Sequence, residues 1–401
     1  MTGGDDVSNK SRDETTLLTD WSALEPGRSV TLRAQSPLHK GDYECAILEK
    51  TADRLRVSMP MENGKLVLVP VGTIVVIEGQ TPAGKVSLRA QVVDRRGGRD
   101  RSLLLGPEPK PPDYLAASPE LRPCRTFAVT SGKGGVGKTA FAVNLGVALA
   151  DLGNKVCIVD ADLGTANVDV LLNMAPRWNL SHVVSGEKNI FDVLVQGPRG
   201  LVVLPGGSGL QELTALDDRQ FGKLLAQFHQ LERFVDVMLL DTGSGLSRAV
   251  TNVVQAADET ILLTTPEPHA ITDAYALIKV ATQQAGDLRL NLVVNRVQDE
   301  AEAREIARKM IFASRRFLET DMKFLGHVVD DQNVIRAIRR QQDLLTTLPK
   351  SRAAECIRLI ADALVRKAPG EEGEKAEASA AGAQAASGRS FLQRIRRLFA
   401  R

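Results

Sequence analysis

Between an apolar strand-like run, TFAVTS (126–131), and an amphipathic helical run, KTAFAVNLGVALADLG (138–153), the chain carries GKGGVGKT at 132–139. No other stretch constrains the fold as tightly. The pattern G-x-x-x-x-G-K-T between a strand and a helix is a phosphate-binding loop. Its glycines let successive backbone N–H groups turn onto phosphate oxygens, and the helix N-terminus adds its positive end. Gly132, Lys133, Gly134, Gly135, Val136, Gly137, Lys138, Thr139 and Ala140 are therefore the candidate nucleotide contacts. Lys138 is placed to reach the β- and γ-phosphates, and the Thr139 hydroxyl to ligate Mg2+. ATP and Mg2+ are the expected cofactors. Lys133 is a second lysine that this chemistry does not require.

The rest of the rhythm agrees with such a loop. KVCIVD (155–160), VDVMLLD (235–241), TILLTTP (260–266) and LNLVVN (290–295) are apolar strand-like runs separated by helical stretches. This predicts a doubly wound parallel α/β sheet covered on both faces, a P-loop NTPase fold over 125–367. Carboxylates that end such strands face the ligand crevice. Asp241 is thus a candidate for the Mg2+ shell, and Asp160 or Asp162 for orienting the attacking water. For any one of them a helix cap or a solvated strand-end charge is the bland alternative, which all three in the right order make weak.

Ahead of this, residues 25–108 alternate short apolar runs with turn residues. SVTLRA (29–34), RLRVSM (54–59), KLVLVP (65–70), TIVVIEG (73–79) and VSLRAQVV (86–93) predict a small antiparallel β-barrel. Residues 1–24 read as a flexible N-terminus, 109–124 as a proline-rich linker and 368–388 as a low-complexity linker.

The ending SFLQRIRRLFAR (390–401) is amphipathic. At ~100° per residue, Phe391, Leu392, Ile395, Leu398 and Phe399 fall within an arc of about 120°. Arg394, Arg396 and Arg397 occupy the other side. Basic residues flanking an apolar face describe a helix lying in a membrane surface. Docking on the protein's own core or on a partner is the alternative, and the long linker favours the membrane.

Bulk numbers exclude little but help. Fifty-one Lys+Arg against 49 Asp+Glu give a formal +2, so no global field calls for nucleic acid. The four cysteines are isolated, without the paired spacing of a zinc or iron–sulfur scaffold. No signal-peptide core and no apolar run of membrane-spanning length is present. The expected location is cytoplasmic, reversibly at the inner face of the cell membrane.

The doubled-lysine loop KGGVGKT resembles the deviant Walker A motif of the MinD/ParA ATPases. DADLGTANVDVLL (160–172), LPGGSGL (204–210), DTGSGLS (241–247) and TTPEPHAITDAYALIK (264–279) resemble the flagellar branch, known as FlhG, FleN or YlxH. The resemblance covers about 124–365. It implies that Lys133 is a signature lysine that crosses a homodimer interface to ATP bound in the opposite subunit. It implies that Asp162 is the residue most closely tied to hydrolysis, with Asp160 and Asp241 near the metal and Asn295 contacting adenine. It implies a slow, partner-stimulated ATPase and a C-terminal membrane-targeting helix. Flagellar assembly or positioning proteins, an SRP-type GTPase or a transcription regulator among them, are the implied partners.

Residues 25–108 resemble the YcgR-like domain that accompanies PilZ domains in flagellar-brake proteins. The Arg-rich PilZ element is missing, because LRPCR (121–125) spaces Arg122 and Arg125 wrongly, so cyclic di-GMP is not expected as a ligand. DRRGGRDR (94–101) reads as an exposed hairpin. The segment by which flagellar relatives stimulate the partner GTPase FlhF is absent from MTGGDDVSNKSRDETTLL. Arg336, Arg339 and Arg340 form an arginine face that is either solvated or a contact for DNA or protein. The favoured function is an ATP-dependent dimerising, membrane-cycling switch that regulates flagellar number, placement or assembly. The alternative is a ParA-like partition or cargo-positioning ATPase on non-specific DNA. An iron–sulfur carrier lacks its paired cysteines, and a non-hydrolysing scaffold does not explain three aligned aspartates.

Overall fold

The computed structural model describes residues 24–365, apart from short stretches at 37–38, 53, 70, 72, 82–83, 97–99, 109–114, 116–123, 163–166, 208–217 and 286–287. It also describes 16–17, Trp21 and Arg394. The expected flexible N-terminus, both linkers and the tail thus lie wholly or mostly outside the described residues. Two units divide at 109/110.

In the first unit, β1 (Ser29–Ser36), β2 (His39–Lys50), β3 (Leu55–Ser58), β4 (Ile74–Thr81), β5 (Gly84–Arg96) and β6 (Ser102–Pro107) pair in the order β5-β4-β1-β2-β3-β6. A β5–β6 pairing closes the antiparallel barrel. Alternate residues of each strand fill it: Val30, Leu32 and Ala34 from β1, Val75 and Ile77 from β4, Ala90 and Val92 from β5. KLVLVP departs from its expected strand. Only Lys65–Leu66 pairs, with Met61–Glu62, while Val67 and Val69 are buried without a ladder. Alternation reports which side chains are covered, and a loop lid produces it as well as a strand does. The barrel's arginines are engaged: Arg33 bridges Asp42 and Glu78 at 2.9 and 3.0 Å, and Arg89 pairs with Glu108 at 2.6 Å.

The second unit is an eight-stranded sheet. Its strands are β7 (Arg125–Ser131), β8 (Val156–Ala161), β9 (Val195–Gln196), β10 (Val202–Leu204), β11 (Val237–Ser244), β12 (Glu259–Thr264), β13 (Leu290–Val297) and β14 (Met322–Val329). The order is β9-β10-β8-β11-β7-β12-β13-β14, parallel except at the β9 edge. Phe127, Val129, Ile158 and Leu239 face one buried cluster, while Ala128, Cys157, Val159 and Leu240 face the other. Burial on both faces explains why these strands read as continuous apolar runs. The helices used below are α1 (Lys138–Asp151), α2 (Val168–Leu171), α3 (Asp218–Glu232), α4 (Arg248–Ala256), α5 (Pro268–Ala285), α6 (Glu300–Leu318), α7 (Gln332–Arg339) and α8 (Arg352–Val365). Reversal of strand order at β7 and β11 opens the crevice in which the phosphate loop lies.

Candidate nucleotide site

The loop between β7 and α1 is fixed from three sides. Ser131 Oγ donates to the Lys133 carbonyl at 2.9 Å. Asn295 Nδ2, from the end of β13, donates to the Val136 carbonyl at 2.7 Å. Gly132 lies so close to α5 that a Cβ there would sit 2.1 Å from the Asp273 carbonyl. Gly137 precedes the first helical residue with φ 90°, a conformation that costs a side chain dearly. The resulting cleft of about 300 Å³ is lined by Lys133, Gly134, Gly135, Gly137, Lys138, Thr139 and Ala140, facing Asp162, Asn167 and Ser244.

Beneath the loop, β11 delivers Asp241. Lys138 Nζ lies 2.9 Å from Asp241 Oδ1, and Thr139 Oγ1 donates to Asp241 Oδ2 at 2.7 Å. Both charged side chains are buried, Lys138 at 8% exposure and Asp241 at 0%. Burial pushes the Asp241 carboxyl up, against the pull of Lys138 and the Thr139 hydroxyl. Lys133 is different. It is half-buried at the cleft, and among the described residues its ammonium has no hydrogen-bonding or ion-pair partner.

Asp160 stands beside Asp241 in register on β8. Its Oδ2 accepts the N–H groups of Asn167 and Val168 at 2.9 and 3.2 Å, and its Oδ1 that of Asp162 at 3.2 Å. It therefore secures the entry to α2, while Asp162 faces the cleft. Asn167 and Ser244, not singled out from the sequence, also line the cleft; each belongs to a motif otherwise marked by its aspartate. The Thr139 hydroxyl and an Asp241 carboxylate oxygen lie 2.7 Å apart, and these are the residue types that would hold Mg2+. Asn295 supports the loop backbone and is not among the residues lining the cleft.

Burial pushes the Asp160 carboxyl up to about 6, with the Val168 amide opposing and the Asp241 charge adding. The folded value exceeds the unfolded one, so folding favours the protonated acid. That stabilisation is complete below the unfolded value of about 4 and is lost as pH rises through about 6, some ~3 kcal/mol in all. In nucleotide-free protein, Asp160→Asn should therefore gain melting temperature over the unsubstituted chain between about pH 4 and about pH 6.5. A difference that stays flat across this window would contradict the burial argument.

Arg125 is not a ligand arginine. It pairs with Glu259 at 2.6 Å and donates to the Leu364 carbonyl, clamping β7 to β12 and α8. Arg336, Arg339 and Arg340 are exposed on and just beyond α7, beside exposed Ile335 and Ile338. Of the proposed membrane residues, Phe391, Leu392, Ile395, Arg396, Arg397, Leu398 and Phe399 lie outside the described residues. Arg394 is described, and it does not face outward. Its Nη1 pairs with Asp258 at 2.7 Å, its Nη2 donates to Thr126 Oγ1 at 3.2 Å, and its Nε donates to the Ala256 carbonyl. A guanidinium meeting a carboxylate and the C-terminal carbonyl of α4 is favourably placed. The helical wheel gave its angular position but not this docking.

Residues 124–365 match the model of the ParA family, described as NUBPL iron-transfer P-loop NTPase. The chain belongs to the ParA family of P-loop NTPases. Residues 25–106 match the PilZNR model, flagellar protein YcgR, so a ParA-family NTPase is joined here to a YcgR-like barrel. Among ParA-type relatives, the chain is 38% identical to the antiactivator FleN of Pseudomonas aeruginosa, over 60% of this chain and 86% of FleN. It is 31% identical to the flagellum site-determining protein YlxH of Helicobacter pylori, over 60% and 82%. The Pyrococcus furiosus cell division ATPase MinD has the same fold, with TM-score 0.50 and 26% identity over 60% of this chain and 98% of MinD. MinD of Pyrococcus horikoshii, solved with Mg-ADP, matches with TM-score 0.51 and 25% identity, over 63% and 99%. Members of this family are ATPases that bind adenine nucleotide with Mg2+, and this ParA-family chain retains the loop for it.

Proposed function

We propose that this protein is an ATP-dependent dimerising switch ATPase that regulates flagellar number, placement or assembly and cycles onto the membrane. The flagellar assignment comes from its likeness to FleN and YlxH, and from a barrel of the YcgR type on the same chain. The switch reading rests on one observation. The loop's two lysines are in opposite situations: Lys138 is buried against Asp241, and Lys133 stands at the cleft without a partner among the described residues.

The division of labour follows. Lys138 exchanges Asp241 for the β- and γ-phosphate oxygens, and the loop amides hold the rest of the polyphosphate. Thr139 and Asp241 hold Mg2+, which supplies charge neutralisation when bound. Asp162 orients the attacking water. Lys133 reaches the nucleotide of a second copy, so that only a triphosphate is gripped from both sides. Two tails on one dimer then bind a membrane by avidity, because the second insertion is effectively intramolecular. In the docked state Arg394 is held by Asp258, and membrane engagement exchanges that carboxylate for lipid phosphates.

Co-sedimentation of the full chain with phosphatidylglycerol–phosphatidylethanolamine vesicles tests the coupling. Binding with ATP should exceed binding with ADP by roughly tenfold or more, the scale of a gain from bivalency. Removing 389–401 should abolish it. Equal binding in ATP and ADP would sink the coupling, and ATP-dependent, salt-sensitive retention on DNA would favour the partition reading. Deleting the gene and counting flagella tests the cellular role; normal flagellation would exclude it.

A further inference from the structure

The β7–β11 pairing, regular up to Val129↔Asp241, resumes only at Ser131↔Ser244. Thr130 alone thus opposes two residues, Thr242 and Gly243. This is a β-bulge, and it falls at the nucleotide cleft, where bulges commonly re-aim side chains. Both threonines are buried, Thr130 at 1% exposure and Thr242 at 0%. Thr242 Oγ1 lies 2.7 Å from the Gly243 carbonyl, 3.2 Å from the Val129 carbonyl and 3.0 Å from Thr130 Oγ1. A hydroxyl has one proton and two lone pairs. With its one proton Thr242 donates to one of these oxygens at a time, the Thr130 hydroxyl and the Val129 carbonyl across the strand pair among them. The pair binds the extra residue of the bulge to the strand that leads into the phosphate loop.

The bulge has a consequence at the cleft. A Cβ built on Gly243 would lie at van der Waals distance, 3.4 Å, from Asp162 Oδ1, so Gly243 borders the Asp162 carboxylate and leaves beside it the room a side chain would take. Asp241, one residue earlier, keeps its bonds to Lys138 and Thr139. The latch thus sets the spacing between the phosphate-holding group and the room beside Asp162.

We propose that Thr242, latched to Thr130, is a positioning residue for ATP hydrolysis, holding the bulged strand so that Gly243 leaves Asp162 the room in which it orients the attacking water. This rests on the reading of Asp162 given above. It makes no claim on nucleotide affinity, because Lys138, Thr139 and the loop amides do not contact the latch.

Thr242→Val keeps the shape and removes the hydroxyl; Thr242→Ser keeps the hydroxyl. In the full chain, Thr242→Val should lower kcat about tenfold or more, the scale of one lost buried hydrogen bond, with the affinity for a fluorescent ATP analogue nearly unchanged. Thr242→Ser should restore most of kcat. Amide hydrogen exchange over 242–245 should be faster in Thr242→Val by a similar factor and normal in Thr242→Ser. Unchanged exchange would overturn the latch whether or not the protein hydrolyses ATP. Absence of turnover in the unsubstituted chain would overturn the ATPase reading and leave the exchange result to decide the latch. Parallel loss of affinity and kcat that serine does not rescue would reduce Thr242 to a packing residue and end the proposal. Thr130→Val carries the same expectations if Thr242→Val does not fold.

Discussion

Lys138→Ala should destabilise the nucleotide-free protein by about 3–5 kcal/mol, because it leaves the Asp241 carboxyl buried without its cation. On the transition of the ATPase unit this is a fall of roughly 10 °C in melting temperature. Thr139 still donates to Oδ2, but Asp241 is fully buried and Oδ1 keeps no cation of its own. The carboxyl then either remains ionised at high cost or takes up a proton. Adding Asp241→Asn should restore most of the lost stability and none of the ATP binding. That pattern separates two roles of Lys138, partner to a carboxylate in the empty site and partner to phosphate in the loaded one. An unchanged melting point in Lys138→Ala would show that the pair is solvated rather than buried.

Lys133→Ala has the larger effect on function and little on stability. The side chain has no partner among the described residues, so removing it strands no buried group. ATP affinity of the single chain should stay within about threefold, since the loop amides, Lys138 and Thr139 remain. Dimerisation in ATP should weaken by about a thousandfold or more, because truncating one side of a desolvated charge contact costs about 2–5 kcal/mol and a symmetric dimer loses two. Equal losses of binding and dimerisation would place Lys133 in its own subunit's site instead.

The two lysines also show how far the sequence could be read. The strand–loop–helix context located the loop, and the strand-ending aspartates located the crevice, because both follow from periodicity and chain order. What each aspartate does depends on partners that its own strand does not announce. Asp160 is engaged by amides of residues 162, 167 and 168, and Asp241 by Lys138, about a hundred positions earlier. No local pattern announces the bulge at Thr242, which exists only once β7 and β11 are in register. Val202–Leu204 and Met322–Val329 were not anticipated as strands. The first is three residues long, and the second carries lysine, glycine and histidine among its apolar positions. Arg125 is the opposite case. Its spacing from Arg122 sets it outside the PilZ element, and the fold uses it as a clamp between β7, β12 and α8. Arg394 was read from the wheel as one of the basic residues flanking a lipid-facing stripe, and a contact with Asp258, more than a hundred residues away, decides its place here.

The central claim is that ATP occupancy is converted into association through Lys133. Sedimentation equilibrium of the full chain in Mg2+ with ATP, with ADP and without nucleotide measures this directly. A mass of two chains in ATP and one chain otherwise, reverting to one chain in ATP for Lys133→Ala, is the predicted result. A mass that is the same in ATP and ADP, or a Lys133→Ala chain that still pairs in ATP, would contradict it.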